Sequence, residues 1–186
     1  MPDAPQGALA STEATSILAL IRDVPDHPSP GVLFKDITPL LADGPAFAAV
    51  VAQLAAPHTG SGAAVDVVVG VEARGFILAA PVAIALGVGF VPVRKRGKLP
   101  WRTIGAAYEL EYGQAEIEVH ADAIRPGQRV LVVDDVLATG GTARATCDLV
   151  EQLGGVLAGV AVLMELTFLD GRQRLGDRPV RALVTV

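Results

Sequence analysis

The sequence of 186 residues has few aromatic side chains and a single cysteine. Because Cys147 is alone, an internal disulfide bond is excluded. Aromatic residues make up 4% of the chain and apolar residues 51%, so the core must consist mainly of Ala, Val and Leu. This apolar content argues against disorder, and the length predicts one domain.

Signals for a membrane, a nucleic acid or a directly bound metal are also absent from the sequence. No apolar run reaches the length of a membrane span, and no basic segment leads into an apolar one near Met1. We therefore expect a cytoplasmic protein with no membrane partner. The net charge of −5 argues against non-specific binding to nucleic acid. His27, His58 and His120 lack the spacing of metal ligands.

Two common phosphate-binding motifs are missing as well. A Walker A loop requires Gly, four residues and then Gly-Lys-Ser/Thr. The only Gly-Lys pair, Gly97-Lys98, is followed by Leu99, and Pro92 stands where the first Gly should be. No Gly-x-Gly-x-x-Gly opens a helix after a strand, so a dinucleotide-binding fold is weakly supported.

A different phosphate-binding pattern is present in the segment 129–142. The apolar, β-branched run Val130–Val133 predicts a buried strand, and Asp134 and Asp135 follow at its expected end. The acids can accept hydrogen bonds from vicinal hydroxyls, whereas an ordinary β–α turn with a polar cap is the alternative interpretation. The backbone N–H groups of the next loop, at the start of a helix, can close around a phosphate. The loop residues are Ala138, Thr139, Gly140, Gly141 and Thr142.

A second turn and a basic cluster complete the predicted site. Gly70–Phe76 follows a buried strand and precedes a helix, so Arg74 is placed to bind an anion, or else to pair with an Asp. Because open α/β sheets bind ligands at the carboxyl ends of their strands, both turns can share one ligand. Arg94–Lys98 holds four cations, which in an acidic protein favours a polyanionic small ligand over a solvated basic loop or a nucleic-acid patch.

Strand and helix signals alternate along the chain, which predicts an α/β fold with a mostly parallel central sheet flanked by helices. Residues 1–10 are predicted to be a flexible segment, and residues 11–186 one domain. The patterns predict helices over Ser11–Ile21, Pro45–Ala56, Gly75–Leu86 (interrupted or bent near Pro81) and Gly141–Leu153. They predict strands over Val65–Val69, Phe90–Val93, Ala106–Leu110, Ala115–Val119, Val130–Val133, Val156–Met164 and Val180–Val186. Loops are predicted over Asp23–Gly31 and Arg94–Arg102.

The strand, two acids, Ala-Thr-Gly-Gly-Thr loop and helix resemble the phosphoribosyl-pyrophosphate (PRPP) motif of the type I phosphoribosyltransferases. This resemblance implies that fold, with a small N-terminal hood and a mobile hairpin lid. It implies that Asp134 and Asp135 hold the ribose 2′ and 3′ hydroxyls and that the loop holds the 5′-phosphate. The turn with Arg74 becomes the pyrophosphate loop, with a cis peptide bond near Glu72-Ala73. Further cations for the phosphates are then expected from Arg94, Lys95 and Lys98.

From about Ile21 onward, the chain resembles the adenine-specific branch of that family. The matching segments include 21–26, 30–39, 108–113 and 165–172. The resemblance implies a hood over about residues 22–40, in which Phe34 stacks on the base and main-chain groups around Leu33 and Lys35 read its edge. Taken alone, Phe34 could equally fill a core gap.

The predicted hairpin lid carries two further catalytic candidates beside Arg74. The resemblance makes Glu111 a candidate acid that protonates the purine nitrogen, and Tyr112 a residue that closes the lid. The alternative for both is an exposed hairpin pair.

The activity that the resemblance implies is the transfer of 5-phosphoribosyl from PRPP to N9 of adenine, giving AMP and pyrophosphate in purine salvage. It also implies a homodimer, and Mg²⁺ held through substrate oxygens, with water bridges to Asp134 and Asp135 as an option. Three alternatives remain open: a transferase for a 6-oxopurine, a non-catalytic PRPP or nucleotide sensor of the same fold, and a general sugar-phosphate binding protein.

Overall fold

The computed structural model describes residues 11–60, 64–109 and 114–186. The predicted flexible segment 1–10 and the lid residues Glu111 and Tyr112 lie outside this part of the chain. Five helices are described: α1 (Ser11–Leu18), α2 (Thr38–Ala42), α3 (Gly44–Ala55), α4 (Arg74–Leu86) and α5 (Gly141–Gln152). Nine strands are described: β1 (Arg22–Val24), β2 (Phe34–Asp36), β3 (Val67–Val71), β4 (Gly89–Lys95), β5 (Thr103–Glu109), β6 (Gln114–His120), β7 (Arg129–Leu137), β8 (Val156–Glu165) and β9 (Val180–Thr185).

A seven-stranded sheet in the order β5-β6-β4-β3-β7-β8-β9 forms the centre of the molecule. Neighbouring strands pair in parallel across β4, β3, β7, β8 and β9. Strand β6 lies between β4 and β5 and is antiparallel to both. Every residue of β3 is buried, as expected of a parallel strand that helices cover on both faces. The predicted mostly parallel sheet and the predicted hairpin are confirmed.

Helices pack on both faces of this sheet because successive side chains of β7 alternate between them. Leu131 belongs to the apolar cluster with α3 and α4, whereas Val132 belongs to the cluster with α5. Cys147 lies in that second cluster and is fully buried. Burial raises the pKa of its thiol to about 12.

A separate two-stranded sheet lies near the N-terminal end, where the hood was expected. Strands β1 and β2 are antiparallel, with Asp23 opposite Lys35 and Val24 opposite Phe34. The prediction of an extended loop from Asp23 was therefore wrong for its first two residues, which pair with β2. Asp36 is the last residue of β2. Its carboxylate accepts hydrogen bonds from the Thr38 amide (2.9 Å) and hydroxyl (2.8 Å). These bonds lower the pKa of Asp36.

Two further predicted boundaries are corrected by long-range pairing. Strand β7 continues to Leu137, so Asp134 and Asp135 lie within the strand, because β8 pairs with it along this length. Strand β4 includes Arg94 and Lys95, which pair with β6 rather than forming a loop. Helix α4 is continuous from Arg74 to Leu86, so an interruption at Pro81, one of the two predicted alternatives, was wrong. Within the described residues, no helix is long and apolar enough to cross a membrane.

Candidate active site

The carboxyl ends of the neighbouring strands β3 and β7 open into a cavity of about 420 Å³. Both predicted anion-binding turns contribute to its walls, which confirms that they lie together, as expected for strand ends in an open α/β sheet. The predicted site residues that line this cavity are Phe34, Arg74, Lys95, Asp134, Asp135, Ala138, Thr139, Gly140, Gly141 and Thr142. Below, we call it the phosphoribosyl cavity.

The loop between β7 and α5 forms a cup at a helix N-terminus. Gly140 has a φ of 79°, in the left-handed region, and directly precedes the first residue of α5. A Cβ atom on Gly140 would overlap the Gly171 carbonyl oxygen, and one on Gly171 would overlap the Ala138 carbonyl oxygen. Glycine is therefore required on both sides of this contact. The free N–H groups of Gly141 and Thr142 and the positive end of the helix dipole favour an anion in the cup.

The two adjacent acids differ in their surroundings. Oδ1 of Asp134 accepts a hydrogen bond from the Asp135 amide at 2.9 Å. A Cβ atom on Gly75 would come within 2.7 Å of that oxygen, so the start of α4 can approach the acid only because residue 75 is glycine. Burial, and then the charge of Asp135, raise the pKa of Asp134 well above its ordinary value.

Asp135 forms an ion pair with the arginine of the other turn. Its Oδ2 lies 2.8 Å from Nε of Arg74, and its side chain is 6% exposed. Among the described residues, no donor is aligned to form a hydrogen bond with this buried oxygen. A buried carboxylate oxygen with unused acceptor capacity suits a hydroxyl donor on a ligand.

Arg74 also contacts the hood. Its guanidinium carbon lies 4.8 Å from the ring centroid of Phe34, within the range of a cation–π contact. Its Nη1 donates to the carbonyl oxygen of Lys35 at 3.4 Å. Arg74 does pair with an Asp, as the alternative interpretation expected, but the same side chain also contacts the hood.

The basic cluster is divided between the cavity and a neighbouring ion pair. Lys95 lines the phosphoribosyl cavity. Arg94 is instead turned toward Glu72, with distances of 3.3 Å from Nε to Oε2 and 3.1 Å from Nη2 to Oε1. Its Nη1 donates to the carbonyl of Lys98, a residue that is exposed. The peptide bond between Glu72 and Ala73 is cis, as predicted.

A second cavity of about 460 Å³ lies beneath the hood and is called the base cavity below. Leu33, Phe34 and Lys35, the residues for which the resemblance implies base binding, line it. The ring of Phe34 is in edge contact with His27, with centroids 5.0 Å apart. Nζ of Lys35 is 2.7 Å from Asp23 Oδ1, so this ammonium group is held by the hood's other strand.

Sequence reasoning assigned no role to the other wall of the base cavity. This wall includes Met164 at the end of β8, and Leu166 and Phe168 just beyond it. The match of segment 165–172 to the family was the only signal. An ion pair holds this segment in place: Nε of Arg172 donates to buried Glu165 at 3.0 Å.

A magnesium ion could obtain few ligands from the protein here. No group of three or more potential ligands occurs among the described residues. The carboxylates that line the phosphoribosyl cavity are Asp134, Asp135 and Glu72, and Glu72 is paired with Arg94. Such a donor set fits a Mg²⁺ ion bound mainly by substrate oxygens and water.

The parallel sheet, the phosphate cup beside two acids and the separate hood define the class of the type I phosphoribosyltransferases. The family model for the phosphoribosyl transferase domain matches residues 40–182. The sequence is 66% identical over 172 residues to an adenine phosphoribosyltransferase of Nocardioides sp., covering 91% of this chain and 92% of that protein. It is 56% identical over 177 residues to the adenine phosphoribosyltransferase of Thermobifida fusca, covering 95% and 99%.

Solved structures agree with these relatives. The adenine phosphoribosyltransferase of Thermoanaerobacter pseudethanolicus superposes with a TM-score of 0.89 at 49% identity, covering 93% of this chain and 99% of that one. The Saccharomyces cerevisiae enzyme, in a complex with adenine and an imino-altritol bisphosphate, gives a TM-score of 0.84 at 40% identity, with the same coverage. The chain therefore belongs to the phosphoribosyltransferase family, among the adenine phosphoribosyltransferases.

Proposed function

We propose that this protein transfers 5-phosphoribosyl from PRPP to N9 of adenine, forming AMP and pyrophosphate in purine salvage. The observation that carries the proposal is that the phosphoribosyl and base cavities share Phe34, Arg74, Val136 and Ala138. A base under the hood and a ribose beside the acids would thus meet at a common wall. The names of the relatives, and the adenine in the yeast complex, support adenine as the base.

The 5′-phosphate binds in the cup formed by Ala138, Thr139, Gly140, Gly141 and Thr142, where backbone N–H groups and the dipole of α5 neutralise its charge. The ribose hydroxyls donate to Asp134 and Asp135. Oδ2 of Asp135 has unused acceptor capacity for this, and Arg74 fixes its position. Since the transition state resembles an oxocarbenium ion, positioning and charge stabilisation account for most of the catalysis.

The pyrophosphate leaves on the side of the turn that carries Arg74. Lys95 supplies positive charge from the cavity wall, and Arg94 and Lys98 add to the field from beside it. Asp134 and Asp135 would hold a Mg²⁺ ion through water, and the ion would supply positive charge to the phosphate groups of the substrate. Both acids are placed for this role because they line the same cavity.

The base stacks on Phe34, and main-chain groups at Leu33 and Lys35 read its edge. A 6-oxopurine transferase would use a lysine ammonium group as donor to the oxo group, but Asp23 already holds the Lys35 ammonium at 2.7 Å. This pairing favours adenine over the 6-oxopurines. We further propose that Glu111 protonates the purine nitrogen and that Tyr112 closes the hairpin lid, which excludes the water that would hydrolyse PRPP. Tyr108, on the β5 arm of the hairpin, lines the phosphoribosyl cavity.

The same proposal includes a homodimer that acts in the cytoplasm. Sedimentation of the purified protein distinguishes a dimer from a monomer.

Product formation tests the activity itself. The purified protein is incubated with PRPP and Mg²⁺ and with adenine, hypoxanthine or guanine in turn, and nucleotide and pyrophosphate are both measured. We expect AMP and pyrophosphate in equal amounts from adenine alone. Products from the oxopurines would overturn the assignment of the base. Binding of PRPP with no product from any base would instead favour the sensor.

A further inference from the structure

Phe168 is an aromatic side chain left exposed at the base cavity. It lies in the short 3₁₀ turn Thr167–Leu169 that follows β8, and 67% of its surface is accessible. It lines the base cavity from this turn, whereas Phe34 lines it from the hood. An exposed aromatic ring gains little from folding, so its presence at a cavity mouth points to a bound ligand that covers it.

The turn that carries Phe168 is held firmly to the rest of the fold. The amide and the hydroxyl of Thr167 both donate to the carbonyl oxygen of Val186 at 2.9 Å. The Leu169 amide donates to the Leu166 carbonyl at 3.1 Å. Shortly after the turn, Gly171 packs against the Ala138 carbonyl of the phosphate cup. The backbone at Phe168 is therefore fixed relative to the cup that holds the 5′-phosphate.

Other apolar side chains at the mouth of the base cavity are also partly exposed. Val32 is 40% and Leu33 47% exposed, and both belong to the hood segment that lines this cavity. Together with Phe168 they form an apolar rim. A flat aromatic base that enters between hood and turn would remove apolar surface of all three from water, which favours its binding.

We infer that Phe168 is a further base-binding residue, which contacts the purine ring from the turn after β8 while Phe34 contacts it from the hood. The inference rests on the proposed function, because it assigns a wall of the same site. Its ligand class is a planar, largely apolar heterocycle attached to a phosphorylated ribose. Phe168 would then contribute to binding of adenine and AMP and nothing to binding of the ribose phosphate alone.

Calorimetric titrations with AMP and with ribose 5-phosphate separate these contributions without requiring turnover. In Phe168→Ala we expect AMP to bind about two- to tenfold more weakly, the range for loss of one aromatic contact. The affinity for ribose 5-phosphate should stay unchanged. Phe168→Tyr should retain the affinity for AMP. Val156→Ala is a matched control, since Val156 is also exposed (50%) but lies at the other end of β8.

Each other outcome overturns the inference in a distinguishable way. If Phe168→Ala leaves AMP affinity unchanged while the wild type binds AMP more tightly than ribose 5-phosphate, the base is bound without Phe168. If both affinities fall together, Phe168 only supports the fold near the phosphate cup. If the wild type itself binds AMP no more tightly than ribose 5-phosphate, the base cavity holds no base, and the proposed function falls as well.

Discussion

Nε of Arg74 lies 2.8 Å from Oδ2 of Asp135. The guanidinium group of the same arginine lies 4.8 Å from the Phe34 ring. One planar cation thus touches both the acid proposed to hold the ribose and the aromatic ring proposed to stack on the base. The positions of the two substrate halves are therefore linked through a single side chain.

Replacement of Arg74 by lysine should weaken the binding of both substrates. A lysine ammonium is a point charge without the planar fork, so it cannot pair with Asp135 and also lie flat near Phe34. We expect the KM values for adenine and PRPP to rise together, each about tenfold. Steady-state kinetics measure both values, with Arg144→Lys, an exposed arginine outside both cavities, as the control. A rise in only one KM would show that Arg74 does not link the two halves.

Asp135→Asn should leave the fold intact and remove most of the turnover. The amide keeps the shape of the side chain but loses its charge, which disturbs the ion pair with Arg74 and the positioning of the ribose. A loss of about a hundredfold in kcat/KM for PRPP is expected from misplaced reactants. Circular dichroism checks the fold, and Asp122→Asn, at an exposed position, serves as control. An unchanged kcat/KM would contradict the ribose-holding role.

Phe34→Ala should raise the KM for adenine far more than that for PRPP. The ring faces the base cavity from the hood, so its loss removes the stacking surface but leaves the phosphate cup intact. Loss of one aromatic contact corresponds to about a two- to tenfold change. Phe34→Tyr keeps a ring and should restore the KM for adenine. Equal effects on the two KM values would mean that Phe34 is only structural.

The ion pair between Glu72 and Arg94 should make stability depend on pH. A hydrogen bond from Arg94 holds the pKa of Glu72 below its ordinary value of 4.5. A carboxyl group with a depressed pKa in the folded state stabilises the fold above its unfolded pKa, and this contribution disappears as the pH falls through the folded pKa. The substitution Glu72→Gln should therefore lower the free energy of unfolding most at neutral pH. This destabilisation should become smaller as the pH falls below about 4.5.

Urea unfolding of wild type and Glu72→Gln over this pH range measures the effect. The control is Glu116→Gln, because the Arg96–Glu116 pair is at the surface, with the arginine side chain 73% exposed. An exposed pair of this kind contributes about 0–1 kcal/mol. A destabilisation by Glu72→Gln that stays constant from neutral to acidic pH would refute the linkage.

Sequence reasoning succeeded where local chemistry dictates local structure. The small residues from Ala138 to Thr142 can form a backbone cup almost regardless of context, and the apolar strand before them identifies the edge of the sheet. Prediction from the sequence failed where residues distant in the chain determine the end of a strand. Aspartate is a poor strand former, yet Asp134 remains in β7 because Val162 of β8 pairs opposite it.

Side-chain direction was likewise beyond the sequence. Arg94 and Lys95 are adjacent cations with the same expected role, but Arg94 is turned to Glu72 while Lys95 lines the cavity. The reason is that β4 includes both residues, and successive side chains of a strand point to opposite faces. The predicted loop over these residues gave no such alternation. Phe168 gave no periodic signal, because it lies in a short 3₁₀ turn whose position depends on Val186 and Gly171.

Competition between bases tests the central claim most directly. The protein is given limiting PRPP with Mg²⁺ and an equimolar mixture of adenine, hypoxanthine and guanine, and the three nucleotides are quantified at early times. The proposed hood, with Lys35 held by Asp23, predicts AMP as the only nucleotide formed. IMP or GMP in amounts comparable with AMP would contradict the assignment of adenine to this site.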